Sequence, residues 1–176
     1  MMCYGAKELA RSFRTVRKNT LQIAEEIPEE KYGFSPAPGT RTVAQLLTHI
    51  AIARRLQQSV QSAGTKSLPS FDFSKVVGEF GTEEQKPRSK QEVIALLKSE
   101  GEQFATWIET ITDDVLAERV DQFPGAEPAS KTRFEMLMGV KEHEMHHRGQ
   151  LMLIERMLGI TPHLTREMQA RMAARA

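Results

Sequence analysis

The chain has 176 residues, of which 40% are hydrophobic and 27% charged, and a formal net charge of +1 at pH 7. That composition predicts a globular chain, long enough to bury a core as one domain over residues 1–176 without disulfide or metal staples. The near-zero charge excludes a global field for nucleic acid or anionic membrane, the single cysteine, Cys3, excludes an internal disulfide, and no apolar run approaches the roughly 20 residues of a membrane span. Met1 to Arg14 also lacks the apolar stretch of a secretory signal. A cytoplasmic protein with no nucleic-acid and no membrane partner is therefore expected.

Gly5 to Ile27 predicts a first helix. Leu9, Phe13, Val16, Thr20, Ile23 or Ala24, and Ile27 recur at three and four, as a core-facing stripe does. Arg11, Arg14, Arg17 and Lys18 fall mostly off that stripe and are expected in solvent. Pro28 stops the helix, because the residue before a proline is pushed out of the α region. Tyr32 to Gly39 is rich in turn residues. Thr40 or Thr42 then caps a second helix from about Thr42 to Ser62, ending before Gly64. Its predicted inward stripe is Leu46, His49, Ala53, Leu56 and Val60, with Val43 and Ile50 beside it. Arg54, Gln58 and Gln61 are expected on its polar face.

Gly64 to Arg88 has no helical period. It reads as a long connection whose Phe71, Phe73 and Phe80 pack onto the bundle, either as a strap or as a pocket lid. Ser89-Lys90-Gln91-Glu92 is a capping box and opens the third long helix, which continues through Val93, Phe104 and Ile111. Thr112-Asp113-Asp114 begins a short turn of helix through Leu116, and Phe123 to Pro128 is a second loop. From about Ser130 to Leu158 runs the fourth long helix, with Met136, Val140, His143, His147, Leu151, Ile154 and Leu158 on its core face. Gly159 stops it, with Pro162 just beyond. Leu164 to Ala176 is a short amphipathic tail. No strand signal and no repeat appear. The expected class is all-α: a four-helix bundle with a long connection between its second and third helices and a short C-terminal helix.

Three of the five histidines fall between Lys141 and Gln150. His143 and His147 are four apart on one helix face, with Cβ atoms roughly 5–6 Å apart, so both imidazoles reach one ion. His49, on the apolar stripe of the second helix, is the third candidate. Three neutral imidazoles suit zinc, nickel, copper or iron(II), and three protein ligands leave a position open. An uncharged donor set leaves the ion its full charge, enough to lower a bound water's pKa to about 7 or to hold a thiol as thiolate. Metal-hydroxide hydrolysis and thiolate transfer are the two reaction types this favours. Gln45, one turn before His49, is a candidate to orient its ring. His146 lies off the stripe, and His163, after Pro162, is expected in solvent.

Two other motifs overlap the cluster. His143-Glu144-x-x-His147 matches the letters of a zinc-protease signature, with Glu144 as general base. Such proteases also need a sheet edge to hold a peptide, and the metzincin extension fails because Gly149 follows His147 by two residues rather than three. Glu144-x-x-His147 also matches a di-iron bundle motif, but no second copy exists. Cys3 is expected to be a bystander thiol, and the methionines of the fourth helix and tail fill core or a helix–helix interface.

The stretch Tyr32-Gly-Phe-Ser-Pro-Ala-Pro-Gly-Thr-Arg-Thr-Val-Ala-Gln-Leu-Leu-Thr-His49, with His143-Glu-Met-His-His147-Arg-Gly-Gln-Leu151, resembles the DinB-like (DNA-damage-inducible, YfiT-like) metalloprotein superfamily. The resemblance implies a four-helix bundle, commonly a homodimer, with a divalent metal held by His49, His143 and His147. Arg148 and Gln150 match the same signature at positions that look structural. Some relatives are thiol-dependent transferases, others resemble hydrolases, and many have no known activity. The functional expectation is a Zn2+- or Ni2+-dependent transferase that joins a small-molecule thiol to an electrophile. The alternatives are a non-catalytic metal-binding stress protein and a metal-hydroxide hydrolase.

Overall fold

A computed structural model describes residues 4–175, so Cys3 lies outside the described residues. The elements run α1 (Ala6–Glu26), α2 (Val43–Ser62), α3 (Ser74–Gln85), α4 (Lys90–Glu109), α5 (Asp113–Ala117), β1 (Arg119–Asp121), β2 (Ser130–Thr132), α6 (Arg133–Met157) and α7 (His163–Ala173). The four long helices α1, α2, α4 and α6 form the bundle. α4 and α6 each pack on both α1 and α2, so the ring order is α1–α4–α2–α6.

Local chemistry sets where these helices begin. Thr42 with Gln45, Ser89 with Glu92, and Thr132 with Glu135 each exchange a side chain for a free backbone N–H at a helix start, which satisfies donors that the first turn leaves orphaned. Gly159 follows α6 with φ +80°, the left-handed stop that a glycine adopts without a Cβ penalty.

The stripe predicted for α1 is buried throughout. One apolar cluster holds Ile23, Ile27, Leu47, Leu97, Leu151 and Ile154. A second holds Leu9, Phe13, Phe104, Ile108, Leu137 and Val140. In sequence, Arg17, Glu100 and Glu144 each fall between members of the two clusters on their own helix, and with Arg54 they form a buried charged layer. The expectations for Arg17 and Arg54 are thereby corrected. Both are buried because carboxylates on other helices meet them, Glu144 for Arg17 and Glu100 for Arg54, and periodicity within one helix cannot reveal that pairing.

Three further expectations change. The 64–88 connection contains a three-residue 3-10 turn at Leu68–Ser70 and the helix α3. α3 buries no residue of its own, and Gly78 and Gly81 dilute its pattern, so no apolar stripe betrays it. Its phenylalanine neighbours do pack down: Phe71 and Phe73 lie against Val60, Val120 and Met136, and Phe80 against the first cluster. Strands are also present. Arg119–Asp121 pairs antiparallel with Ser130–Thr132, with Val120 opposite Lys131, and three residues a side are too few for alternation to register. β2 takes the positions expected to open the fourth helix, which starts at Arg133 instead. Finally, His163 is buried rather than in solvent, because it begins α7 and Pro162 turns it inward beside α1 and α6. Among the described residues no helix is long and apolar enough to cross a membrane.

Candidate metal centre

α2 carries His49, and α6 carries His143 and His147 one turn apart. His143 Nε2 lies 3.1 Å from His49 Nε2 and 3.1 Å from His147 Nε2. One ring nitrogen of each residue falls within 4.8 Å of the other two. The face of α2 is rotated slightly from the expected stripe. Leu46 and Val60 of that stripe are buried, as are Val43, Leu47, Ile50, Ala51 and Arg54, whereas His49, Ala53 and Leu56 are only half-buried. His49 therefore leans out of the core toward open space.

Neighbouring groups set the tautomers. His49 Nδ1 donates to Glu84 Oε1 at 2.5 Å, and His147 Nδ1 donates to Gln150 Oε1 at 2.8 Å. A carboxylate and an amide oxygen only accept, so each Nδ1 carries the proton and each Nε2 presents a lone pair. Both lone pairs point at His143 Nε2, which can donate to one of them at most. Three converging nitrogens with more lone pairs than protons fit a bound cation. The spacing fits as well: nitrogens about 2.0–2.1 Å from a tetrahedral ion sit about 3.3 Å apart.

Burial keeps His143 and His147 neutral. Burial, and then the nearby His147, His49 and His146, push the His143 pKa down to about 4. Burial also lowers that of His147, although the hydrogen bond to Gln150 opposes it. For Glu84, burial disfavours the charge, but hydrogen bonds from Arg41 and His49 outweigh it and lower the pKa. Glu84 thus stays ionised and grips His49, a carboxylate–imidazole arrangement that raises ligand basicity.

Of the sequence candidates, His49, His143 and His147 come together. His146 is exposed, with its Nε2 3.3 Å from Gln150 Nε2. Glu144 is 2% exposed and receives two hydrogen bonds of 2.9 Å from Arg17, so it faces α1 and is not free to act as a base. Gln45 does not orient His49: its Oε1 accepts from Thr42 N at 2.9 Å and its Nε2 donates to Gln85 at 3.2 Å. The residues that do this work are Glu84 and Gln150. Gln150 was findable, since three residues from His147 is one helical turn. Glu84 carried no signal, because its segment lacked a helical pattern.

Two cavities meet the cluster. One, of about 690 Å³, is lined by His147 with Arg41, Gln45, Glu84, Gln85 and Gln150. The other, of about 440 Å³, is lined by His49 and His143 with Ala53, Leu56, Phe80 and Met136. The first gathers Arg41, Gln45, Glu84, Gln85 and Gln150 around His147, and the second sets that apolar group beside Gln57, Gln122, Lys131, Glu135 and Glu142.

The DinB family model matches residues 2–174. The chain is 25% identical over 160 residues to the uncharacterized protein YjoA of Bacillus subtilis (strain 168), covering 91% of this chain and 94% of YjoA. The crystal structure of that DinB-like protein aligns with a TM-score of 0.64 at 22% identity, over 88% of this chain and 94% of its own. YfiT from Bacillus subtilis, described as a probable metal-dependent hydrolase with an unusual four-helix bundle topology, aligns with a TM-score of 0.65 at 16% identity over 89% of each chain. The colibactin self-resistance protein ClbS, solved in complex with a dsDNA, aligns with a TM-score of 0.64 at 16% identity, over 89% of this chain and 98% of its own. At these identities the solved structures speak to the fold alone.

Proposed function

The chain belongs to the DinB family, and from that premise we propose that His49, His143 and His147 hold one divalent ion, Zn2+ or Ni2+, in an enzyme that transfers a low-molecular-weight thiol to an electrophile. The observation that carries this is the convergence of the three ring nitrogens, with two of the rings held by Glu84 and Gln150. When bound, the ion would supply the positive charge that keeps a thiol ionised at neutral pH.

The chain's own residues then divide the work. Arg41, Gln45, Gln85 and Gln150 offer donors and acceptors to a small polar thiol in the larger cavity. Ala53, Leu56, Phe80 and Met136 offer an apolar wall to an electrophile in the smaller one. The carboxylates nearest the histidines are engaged, Glu84 by Arg41 and His49, and Glu144 by Arg17. Attack by a preformed thiolate needs no general base, so the engagement of these carboxylates is compatible with transfer. Likeness to YfiT favours the second reading, a metal-dependent hydrolase.

Titrating the cobalt-substituted protein with cysteine and 2-mercaptoethanol separates the two. The transferase reading expects the cobalt absorption to change with thiol concentration and to saturate. An unchanged spectrum, with hydrolysis of simple esters or amides by the same sample, supports the hydrolase and removes the transferase. A homodimer is part of this reading. Met145, Leu153 and Met157 lie exposed at four-residue intervals or multiples of them on α6, with Met168 and Met172 exposed on α7, an apolar face suited to a second copy. Sedimentation at micromolar concentration is expected to give twice the chain mass of 19.9 kDa. The absence of a nucleic-acid partner also belongs here, and a gel-shift with duplex DNA checks it against the ClbS precedent.

A further inference from the structure

We infer that Arg17 is a positioning residue for the metal centre, a clamp on α1 that sets α6 against α2 and so fixes the spacing of the histidines. The inference rests on the three-histidine reading, although α1 supplies no histidine to the cluster.

Arg17 is 4% exposed, and its guanidinium reaches the three other helices of the bundle. Nε and Nη2 each donate to Glu144 on α6 at 2.9 Å. Nη1 donates to the carbonyl of Leu97 on α4 at 2.7 Å, and Nη2 also donates to the carbonyl of Ile50 on α2 at 3.2 Å. Leu97 and Ile50 lie mid-helix, and a backbone carbonyl has a second lone pair to give beyond its helical bond. Two of these contacts adjoin the metal centre: Glu144 follows His143 in the chain, and Ile50 follows His49. One rigid planar group therefore spans the two helices that must hold their histidine nitrogens 3.1 Å apart.

A second observation shows that the bundle is shaped around this side chain. Gly101, in the interior of α4, lies against Arg17. A Cβ there would sit 2.8 Å from Arg17 Cγ and 3.1 Å from Nη1. A glycine in a helix interior is unfavourable relative to alanine, and here it opens the slot through which the arginine passes. Buried ion pairs contribute little net stability compared with an apolar replacement of similar size, so stability alone is a weak reason for this arrangement. Its better reason is register: a bidentate guanidinium fixes direction as well as distance, which a lysine would not do.

The test replaces both partners together, Arg17→Met with Glu144→Met, because removing Arg17 alone strands a buried carboxylate. Helical circular dichroism reports the fold, and Co2+ titration reports affinity and the d–d bands of the site. The expected result is a folded double variant that binds Co2+ at least tenfold more weakly than the unmodified protein, with shifted d–d bands. Replacing the half-buried Arg14, which pairs with the exposed Glu102, by Met is expected to leave both unchanged. Gly101→Ala, which displaces the guanidinium while keeping both charges, is expected to shift the bands in the same way and decides the matter if the double variant does not fold. A folded double variant, or a Gly101→Ala variant, with the unmodified affinity and spectrum overturns the clamp. An unmodified protein that takes up no Co2+ overturns the three-histidine reading itself, and the clamp with it.

Discussion

Glu84 on α3 accepts the Nδ1 proton of His49 on α2 at 2.5 Å, while Arg41 Nε donates to its other oxygen at 2.8 Å. A carboxylate on a helix with no buried residue thus reaches across to orient a ring of the candidate metal centre.

Glu84→Gln removes the charge but keeps the shape. It is expected to weaken Zn2+ binding by about 10–100-fold, the usual cost of losing such a supporting partner, with little change in helical content. Competition with a chromophoric chelator measures this, and an unchanged Kd would show that His49 needs no carboxylate.

Histidine substitutions are expected to sort by position. His143→Ala and His147→Ala should purify without metal, while His146→Ala and His163→Ala keep it. Elemental analysis of the four variants is the check. Equal metal content in His143→Ala and His163→Ala would remove the basis of the site.

Burial, reinforced by Glu26, pushes the Glu155 carboxyl from its ordinary 4.5 up to about 7. Neither of its oxygens has a hydrogen-bond partner among the described residues. The folded state therefore binds more protons than the unfolded state between about 4.5 and 7, and stability falls as pH rises through that window. His163 acts in the opposite sense. Burial lowers its pKa below 6.5, so its contribution is lost as pH falls. Glu155→Gln is expected to raise the Tm relative to the unmodified protein at pH 8, with the gap closing near pH 5. A gap independent of pH in thermal melts contradicts this.

Phe104 is fully buried, edge-on to Phe13 at 5.1 Å between ring centroids, and belongs to the core cluster away from Ile23 and Leu97. Phe104→Ala is expected to cost about 3–5 kcal/mol in urea unfolding. A loss under about 1 kcal/mol would mean that this end of the bundle collapses around the gap.

The bundle was legible because its long helices carry their own periodicity and caps. Leu9, Phe13 and Ile23 repeat at helical spacing, and Thr42 and Ser89 announce helix starts. His49, His143 and His147 were legible because spacing put each on or beside a core-facing stripe. What could not be read depends on partners distant in sequence. Arg17 looks like a surface cation until Glu144, Ile50 and Leu97 surround it. Glu84 looks like one acidic residue in an irregular segment until α3 forms against α2. The β1–β2 pair is too short to show a period, and the burial of His163 follows from the docking of α7, which no pattern within α7 specifies.

The central claim is that His49, from one helix, completes a metal centre with His143 and His147 from another. The most direct measurement is the stoichiometry of Zn2+ bound by the unmodified protein and by His49→Ala, side by side, by isothermal titration calorimetry. The account predicts one ion per chain in the unmodified protein and no tight binding in the variant. Equal stoichiometry and affinity in both proteins would contradict it.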